Sequence, residues 1–185
     1  AIYDYLCIAT LHGQNKDALA KMQKGNWKYD IIEPGYKCNM TDIMAAIGLV
    51  ELRRYESKTL PRRKQIFDRY KEVLSQYSWA ELAPYETDEK ISSYHLFPLR
   101  IRGIVEAQRD AIMQKIFDKD VSVNVHFIPV PMMKFYKEMG YSIDPFPVTY
   151  DNFSREISLP VFIDLSDEQV EEVLAAVIEA VETSI

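Results

Sequence analysis

The stretch Ser93-Tyr94-His95-Leu96-Phe97-Pro98-Leu99-Arg100-Ile101 carries the pattern that decides the fold. His95, Phe97, Leu99 and Ile101 occupy alternate positions, and a period of two is typical of a strand with one face in a core. The alternation therefore predicts a strand over residues 93–101. It also predicts that His95 lies on the buried face, as a core histidine rather than a ligand-binding one.

A second strand is predicted over residues 121–127, where the alternation is the most regular in the sequence. One face carries Val121, Val123, Val125 and Phe127, and the other carries Ser122, Asn124 and His126. A polar face on a valine-rich strand either meets solvent or faces a ligand. The residue pattern leaves both interpretations of His126 open.

Helices are predicted around these strands because apolar residues recur there with the 3.6-residue period. The segments lie after Pro61, after Gly103, near residues 132–139, near residues 150–155, and after the capping box of Ser166 and Gln169. A short strand is predicted at residues 157–159. This order predicts the α/β class, as a small sheet covered by helices and preceded by a helical N-terminal segment. We place the division between residues 1–80 and 81–185, and expect helix and loop over the polar residues 13–28.

The segment Asp42–Leu52 is predicted to form a helix that is apolar on nearly every side. Thr41 is a suitable N-cap, and no charged residue stands between Asp42 and Glu51. A helix with this pattern has to be covered all round. Its cover is either the domain core on both flanks, or the core on one flank and a partner subunit on the other.

Composition excludes several classes of protein. The 185 residues carry 22 Lys and Arg against 28 Asp and Glu, a net charge of −6, which disfavours a nucleic-acid binder. The longest apolar run, Ile43–Val50, is far shorter than the roughly 20 residues of a membrane span. Two cysteines without a CxxC pair and three scattered histidines predict neither a disulfide framework nor a metal site. We therefore expect a reducing, cytoplasmic environment.

The polar loop before the apolar segment is the clearest candidate for ligand binding. Lys37 and Asn39 supply hydrogen-bond donors at the start of a predicted helix, where an anion can be held. The alternative is that Asn39 and Thr41 only cap the helix. The chain also opens on Ala1 rather than Met, which is typical of a piece of a longer protein.

A series of motifs resembles the pyridoxal-phosphate-dependent sugar aminotransferases of the DegT/StrS type, which have fold type I. The motifs are 27–30, 35–49, 94–97, 125–129, 158–160 and 165–170. The resemblance implies that this chain is the C-terminal half of such an enzyme, with residues 1–80 at the end of the large domain and 81–185 as the small domain. The Schiff-base lysine and the acid that pairs with the pyridine nitrogen would then lie upstream of Ala1. It further implies no catalytic residue in this chain, which should be inactive alone.

The same resemblance implies roles for individual residues. Asn39, and after it Lys37, would contact the phosphate of pyridoxal 5'-phosphate in the neighbouring subunit of a homodimer formed through the 41–56 helix region. His126 and Phe127 would line the substrate pocket, although Pro131 stands where many relatives have a second histidine. The implied reaction moves an amino group, from glutamate, to a nucleotide-linked keto-sugar in surface polysaccharide or amino-sugar biosynthesis. The alternative is a non-catalytic dimerisation or binding module derived from such an enzyme.

Overall fold

The computed structural model describes residues 1–15 and 30–185, and these form two compact units. The first unit is Ala1–Arg53 and the second is Arg54–Ile185. The helix and loop predicted over residues 13–28 lie almost wholly outside the described residues. So do the first three residues of the motif at 27–30.

Two backbone segments lie side by side in the first unit, after its first helix, Ile2–Ala9. Isolated antiparallel bridges pair Leu11 with Lys37 and Gln14 with Ile31. The two segments approach so closely that a Cβ atom on Gly13 would lie 1.7 Å from the Glu33 carbonyl oxygen. Gly13 also has a φ of +73°. Only glycine fits there without strain.

The apolar segment forms a helix over Asp42–Arg54, and Thr41 begins it as predicted. The backbone N–H of Met44 donates to Thr41 Oγ1 at 3.4 Å, which is the hydrogen bond of an N-cap. In the part of the chain that the structure describes, no side chain of this helix is buried, and Ile43 is 76% exposed. The apolar face is thus left uncovered in the described chain.

The second unit has a three-stranded antiparallel sheet with helices packed on it. Phe97–Ile101 is the central strand, between Ala80–Leu82 and Glu156–Leu159. A separate two-stranded hairpin pairs Glu86–Thr87 with Lys90–Ile91. The helices of this unit are the π-helical turn Tyr55–Thr59, Leu60–Leu74, Glu106–Phe117, the 3₁₀ turn Val130–Met132, Lys134–Glu138, Pro147–Arg155 and Asp167–Glu182.

The core lies between this sheet and three long helices. Phe97, Leu99 and Ile101 are buried on one face of the central strand, as their alternation predicts. Leu60–Leu74 and Glu106–Phe117 both pack against the terminal helix Asp167–Glu182. Because Leu60–Leu74 belongs to this core, the structure divides the chain after residue 53, earlier than the boundary we placed at residue 80.

The prediction that His95 is a core histidine is wrong. His95 is exposed and its neighbour Tyr94 is buried, because the strand begins only at Phe97. Tyr94 has a φ of +51°, so the backbone turns there and the alternation does not extend back to His95.

The strand predicted over residues 121–127 is also wrong. The segment makes one antiparallel bridge, between Asn124 and Ser158, and no longer ladder. The backbone N–H groups that follow are taken by side chains: Val125 donates to Asn124 Oδ1 at 2.8 Å, and His126 donates to Glu156 Oε2 at 2.9 Å. The backbone donors that would extend the ladder are therefore used elsewhere.

Candidate functional site

The loop before the apolar helix brings Lys37 and Asn39 together. Lys37 Nζ donates to Asn39 Oδ1 at 2.8 Å, and both side chains are exposed. The bond orients the Asn39 amide so that its oxygen is engaged and its two N–H donors remain for other partners. The sequence left two uses open for this loop, anion binding and capping of the helix. In the described structure the capping bond is made by Thr41, which accepts the backbone N–H of Met44.

The backbone of the first unit holds this loop in place. The N–H of Tyr36 donates to the carbonyl of Ala9 at 2.7 Å, and the N–H of Cys38 donates to the carbonyl of Thr10 at 3.0 Å. These bonds lie directly beside Lys37, so its main chain is fixed although its side chain is exposed. Cys38 itself is exposed.

The donor set of this loop fits a phosphate group. It combines an ammonium group, a side-chain amide and the N-terminus of the Asp42–Arg54 helix, and each of these is favourable for an anion. Charged and amide donors of this kind form the shorter, stronger class of hydrogen bond with phosphate oxygens. Nothing in the described geometry of Lys37 and Asn39 conflicts with that use.

In the second unit, His126 is joined to two residues of the buried strand Glu156–Leu159. His126 Nδ1 lies 2.8 Å from Ser158 Oγ, and Ser158 Oγ in turn donates to Glu156 Oε1. The carboxylate also accepts the backbone N–H of His126. One carboxylate thus contacts both the main chain and, through a hydroxyl, the ring of the same histidine.

Glu156 is a charged residue in an apolar strand, and its surroundings change its titration. Burial raises the pKa of the Glu156 carboxyl above its ordinary value, while the hydrogen bonds from Ser158 and from the His126 backbone act in the opposite direction. The buried guanidinium of Arg109, from the helix Glu106–Phe117, packs against the start of this strand: it donates to the carbonyl of Glu156 at 3.2 Å and to that of Phe153 at 2.7 Å.

Two open clefts flank His126. The first, of about 390 Å³, is lined by Ala83, Pro98, Arg100, His126, Phe127, Thr149, Asn152, Phe153 and Glu156. The second, of about 260 Å³, includes His95, Asn124, His126 and Ser158 in its wall. His126 and Phe127 are both exposed, and their rings lie 6.4 Å apart between centroids. The structure therefore places the predicted pair, His126 and Phe127, at the wall of a cleft.

Sequence analysis missed Glu156 and did not connect Ser158 with His126. One signal was present: Glu156 is the only charged residue of a strand that is buried along its whole length. A buried carboxylate needs hydrogen-bond donors, but their identity depends on which segment packs alongside.

The sequence profile of the DegT/DnrJ/EryC1/StrS aminotransferases matches residues 2–178, which is nearly the whole chain. The chain belongs to this family. The resemblance drawn from the motifs is thereby confirmed, and so is the predicted fold class of helices around a small sheet in a fold-type I transferase. Enzymes of this family depend on pyridoxal 5'-phosphate.

Individual relatives agree with this assignment. The chain is 31% identical over 180 residues to the spore coat polysaccharide biosynthesis protein SpsC of Bacillus subtilis, covering 94% of this chain and 45% of SpsC. Spr1654 of Streptococcus pneumoniae, assigned as a sugar aminotransferase, is 42% identical in its PMP form, with a TM-score of 0.88 over 100% of this chain and 46% of Spr1654. PseC of Helicobacter pylori, at 19% identity and a TM-score of 0.81 over 98% of this chain and 46% of PseC, shares the fold. The chain thus spans about half the length of the relatives it matches.

No group of three or more His, Cys, Asp or Glu side chains within residues 1–15 and 30–185 could hold a metal ion. Within those same ranges, no helix has the length and apolar character needed to cross a membrane.

Proposed function

We propose that this chain is the C-terminal part of a pyridoxal-phosphate-dependent aminotransferase that acts on a nucleotide-linked keto-sugar. The amino donor is glutamate, and the product serves surface polysaccharide or amino-sugar biosynthesis in the cytoplasm. The match of the family profile over residues 2–178 is the observation that supports the proposal. The spore coat polysaccharide role in the name of SpsC agrees with the proposed pathway class.

In this proposal, Asn39 and Lys37 bind the phosphate of the coenzyme that belongs to the neighbouring subunit. The coenzyme, when bound, supplies the electron-withdrawing ring on which an amino group can be carried from donor to acceptor. This chain contributes no lysine to that chemistry, so it is inactive alone. Asn39 donates its amide N–H groups to phosphate oxygens, while Lys37 neutralises charge and holds the amide in orientation.

The second copy needed for this arrangement covers the apolar helix Asp42–Arg54. In the described chain its Ile43, Ile47 and Leu52 are exposed, and an uncovered face of this size favours an interaction surface. We propose a homodimer through the 41–56 region, which buries these side chains. The helix and the phosphate loop are adjacent in sequence, so dimer formation and coenzyme binding should depend on one another.

On the substrate side, His126 and Phe127 contact the sugar substrate. Both are exposed, and both line the same cleft as Arg100 and Asn152. An aromatic ring beside hydrogen-bonding groups suits a sugar, which presents apolar C–H faces together with hydroxyl groups.

The experiment uses the complete protein that contains this chain, loaded with pyridoxal 5'-phosphate and followed by its visible absorbance. Asn39→Ala should weaken coenzyme retention by about 1–3 kcal/mol, since a hydrogen bond to a charged group is lost. Lys37→Ala should act in the same direction, and Lys134→Ala, which alters another exposed lysine, is the control.

Unchanged coenzyme affinity in Asn39→Ala would remove that residue from the site. A complete protein that has no absorbance band with the coenzyme, and that transfers no amino group from glutamate, would contradict the proposed function itself.

A second candidate function is a non-catalytic dimerisation module, which the exposed apolar helix also favours. The two candidates differ in one measurement. A module dimerises but binds no coenzyme, whereas the aminotransferase does both.

A further inference from the structure

A line of three side chains leads from the buried strand Glu156–Leu159 to the exposed ring of His126. Glu156 and Ser158 are two residues apart in that strand, so their side chains lie on the same face of the sheet. Both are buried, while His126 lies at the surface between two clefts. A carboxylate inside the fold can therefore influence a ring that meets solvent.

The hydrogen bonds along this line have a fixed direction when Glu156 is ionised. A carboxylate only accepts, and here each oxygen has a donor: the Ser158 hydroxyl at Oε1 and the His126 backbone N–H at Oε2. A serine hydroxyl carries one proton, which is already donated to Glu156. Ser158 Oγ can then only accept from His126, so the proton on that side of the ring must sit on Nδ1.

A neighbouring group favours the ionised form of Glu156 on electrostatic grounds. The Arg109 guanidinium, which is buried and comes from the helix Glu106–Phe117, donates to the carbonyl of Glu156. Burial raises the pKa of the Glu156 carboxyl, and the positive charge of Arg109 acts in the opposite direction and favours the carboxylate. The two donated hydrogen bonds act in the same sense, because both strengthen when the acceptor is charged.

We propose that Glu156, acting through Ser158, is a positioning residue that holds His126 in the Nδ1–H tautomer and presents Nε2 as a hydrogen-bond acceptor for a sugar hydroxyl group. The hydrogen bonds among the three side chains predict the tautomer. The assignment of the ligand rests on the proposed function. The second ring nitrogen of a neutral histidine is an acceptor whenever the first is protonated. An acceptor nitrogen suits a hydroxyl donor and does not suit a phosphate oxygen, which is itself an acceptor.

The tautomer is tested in this chain labelled with ¹⁵N-histidine, which gives three ring systems, His12, His95 and His126. Spectra are recorded at about pH 8, where an ordinary histidine is neutral, and His126→Gln identifies its signals. The expected wild-type result is a protonated Nδ1 and an unprotonated Nε2 on His126. A protonated Nε2 in the wild-type chain would overturn the proposal.

Glu156→Gln is the informative variant, because it keeps the shape of the side chain and replaces one accepting oxygen with an NH₂ group that donates. The glutamine oxygen is needed by the His126 backbone N–H, so its NH₂ group faces Ser158 and donates to it. The Ser158 hydroxyl must then donate to His126 Nδ1, and the proton moves to Nε2. The expected result is a reversal of the tautomer, and an unchanged Nδ1–H signal would count against the proposal.

Serine variants keep the test independent of how well the glutamine variant folds. Ser158→Ala removes the link and should release His126 from the Nδ1–H form, whereas Ser158→Thr retains a hydroxyl and should preserve that form. Ser154→Ala is the matched control, since Ser154 is also buried but its hydroxyl donates to the carbonyl of Asp151 at 3.1 Å. A His126 signal that responds equally to Ser154→Ala and Ser158→Ala would show a general structural effect and reject the proposed line.

The ligand assignment is tested in the complete, coenzyme-loaded protein. Glu156→Gln should raise the KM for the sugar substrate about tenfold, the factor for one misdirected hydrogen bond, with the coenzyme absorbance unchanged. An unchanged KM together with a reversed tautomer would overturn the hydroxyl assignment alone. A complete protein without aminotransfer would overturn the proposed function, and the tautomer experiment would still decide the role of Glu156.

Discussion

The core of the second unit and the apolar helix of the first unit have similar side chains and opposite surroundings. Phe97, Leu99 and Ile101 are fully buried between a sheet and helices of the same chain. The helix Asp42–Arg54, which is free of charge from Ile43 to Val50, has no buried side chain in the described structure. An apolar sequence therefore indicates that a surface needs cover without indicating which molecule supplies it.

The difference lies in how the charged residues are distributed. Leu60–Leu74 has buried residues on one stripe and ion pairs on the other, such as Lys64 with Asp68 at 3.1 Å. This helix needs cover on one face only, which the sheet and the terminal helix Asp167–Glu182 provide. The apolar helix has no such polar stripe, so one neighbour is not enough.

The largest expected effect is on the core. Phe97→Ala removes a ring that has edge contacts with Phe67 at 5.0 Å and with Tyr70 at 5.1 Å between centroids. We expect the free energy of unfolding to fall by about 3–5 kcal/mol, measured by denaturant titration of the chain. Phe135→Ala, at a position 65% exposed, is the control and should cost no more than about 0.5 kcal/mol. Equal losses from the two would erase the contrast between buried and exposed aromatic residues.

The next effect concerns the apolar helix in the complete protein. Ile47→Asp places a charge on the face that we propose a second copy covers, so the dissociation constant of the dimer should rise about 100-fold, or roughly 3 kcal/mol. Sedimentation equilibrium measures this constant. The matched control is Ile91→Asp, in the Lys90–Ile91 strand, where the isoleucine is 77% exposed and a charge should leave association unchanged. An unaltered dimer in Ile47→Asp would mean that the helix is not covered as proposed.

A smaller effect is expected from the buried cation of the second unit. Arg109→Met removes the donor to the carbonyl groups of Phe153 and Glu156. The Phe153 carbonyl keeps the backbone N–H of Glu156, but the buried Glu156 carbonyl loses its side-chain donor, which should cost about 2 kcal/mol of unfolding free energy. Arg69→Met is the comparison, since Arg69 pairs with Glu171 at 2.6 Å on an exposed face, where solvent screens the pair and the loss should be smaller than that of Arg109→Met. If denaturant titration gives the reverse order, burial is not what makes Arg109 important.

Local features of the structure could be predicted from the sequence because they depend on neighbours in the chain. Thr41 and the Ser166–Gln169 capping box begin their helices as expected, with Gln169 N–H donating to Ser166 Oγ at 3.2 Å. The buried stripe of Leu60–Leu74 follows the 3.6-residue period. Each of these features rests on contacts within a few residues.

Two predictions failed where the backbone departed from regular geometry. The alternation that placed His95 in the core holds only from Phe97, since Tyr94 turns the chain. The alternation of residues 121–127 is real in the sequence, yet His126 donates its backbone N–H to a side chain instead of to a strand. A side-chain acceptor from residue 156 is not visible in the local pattern.

The sequence by itself determined the family, the apolar helix, the main helices of the second unit and the Phe97–Ile101 part of the central strand, because motif order and hydrophobic period are properties of neighbouring residues. Only the tertiary structure decided that Glu156 and Ser158 meet His126, 30 and 32 residues away. Such meetings depend on which segment lies beside a buried strand, and that choice is made by packing and hydrogen-bond satisfaction across the whole unit.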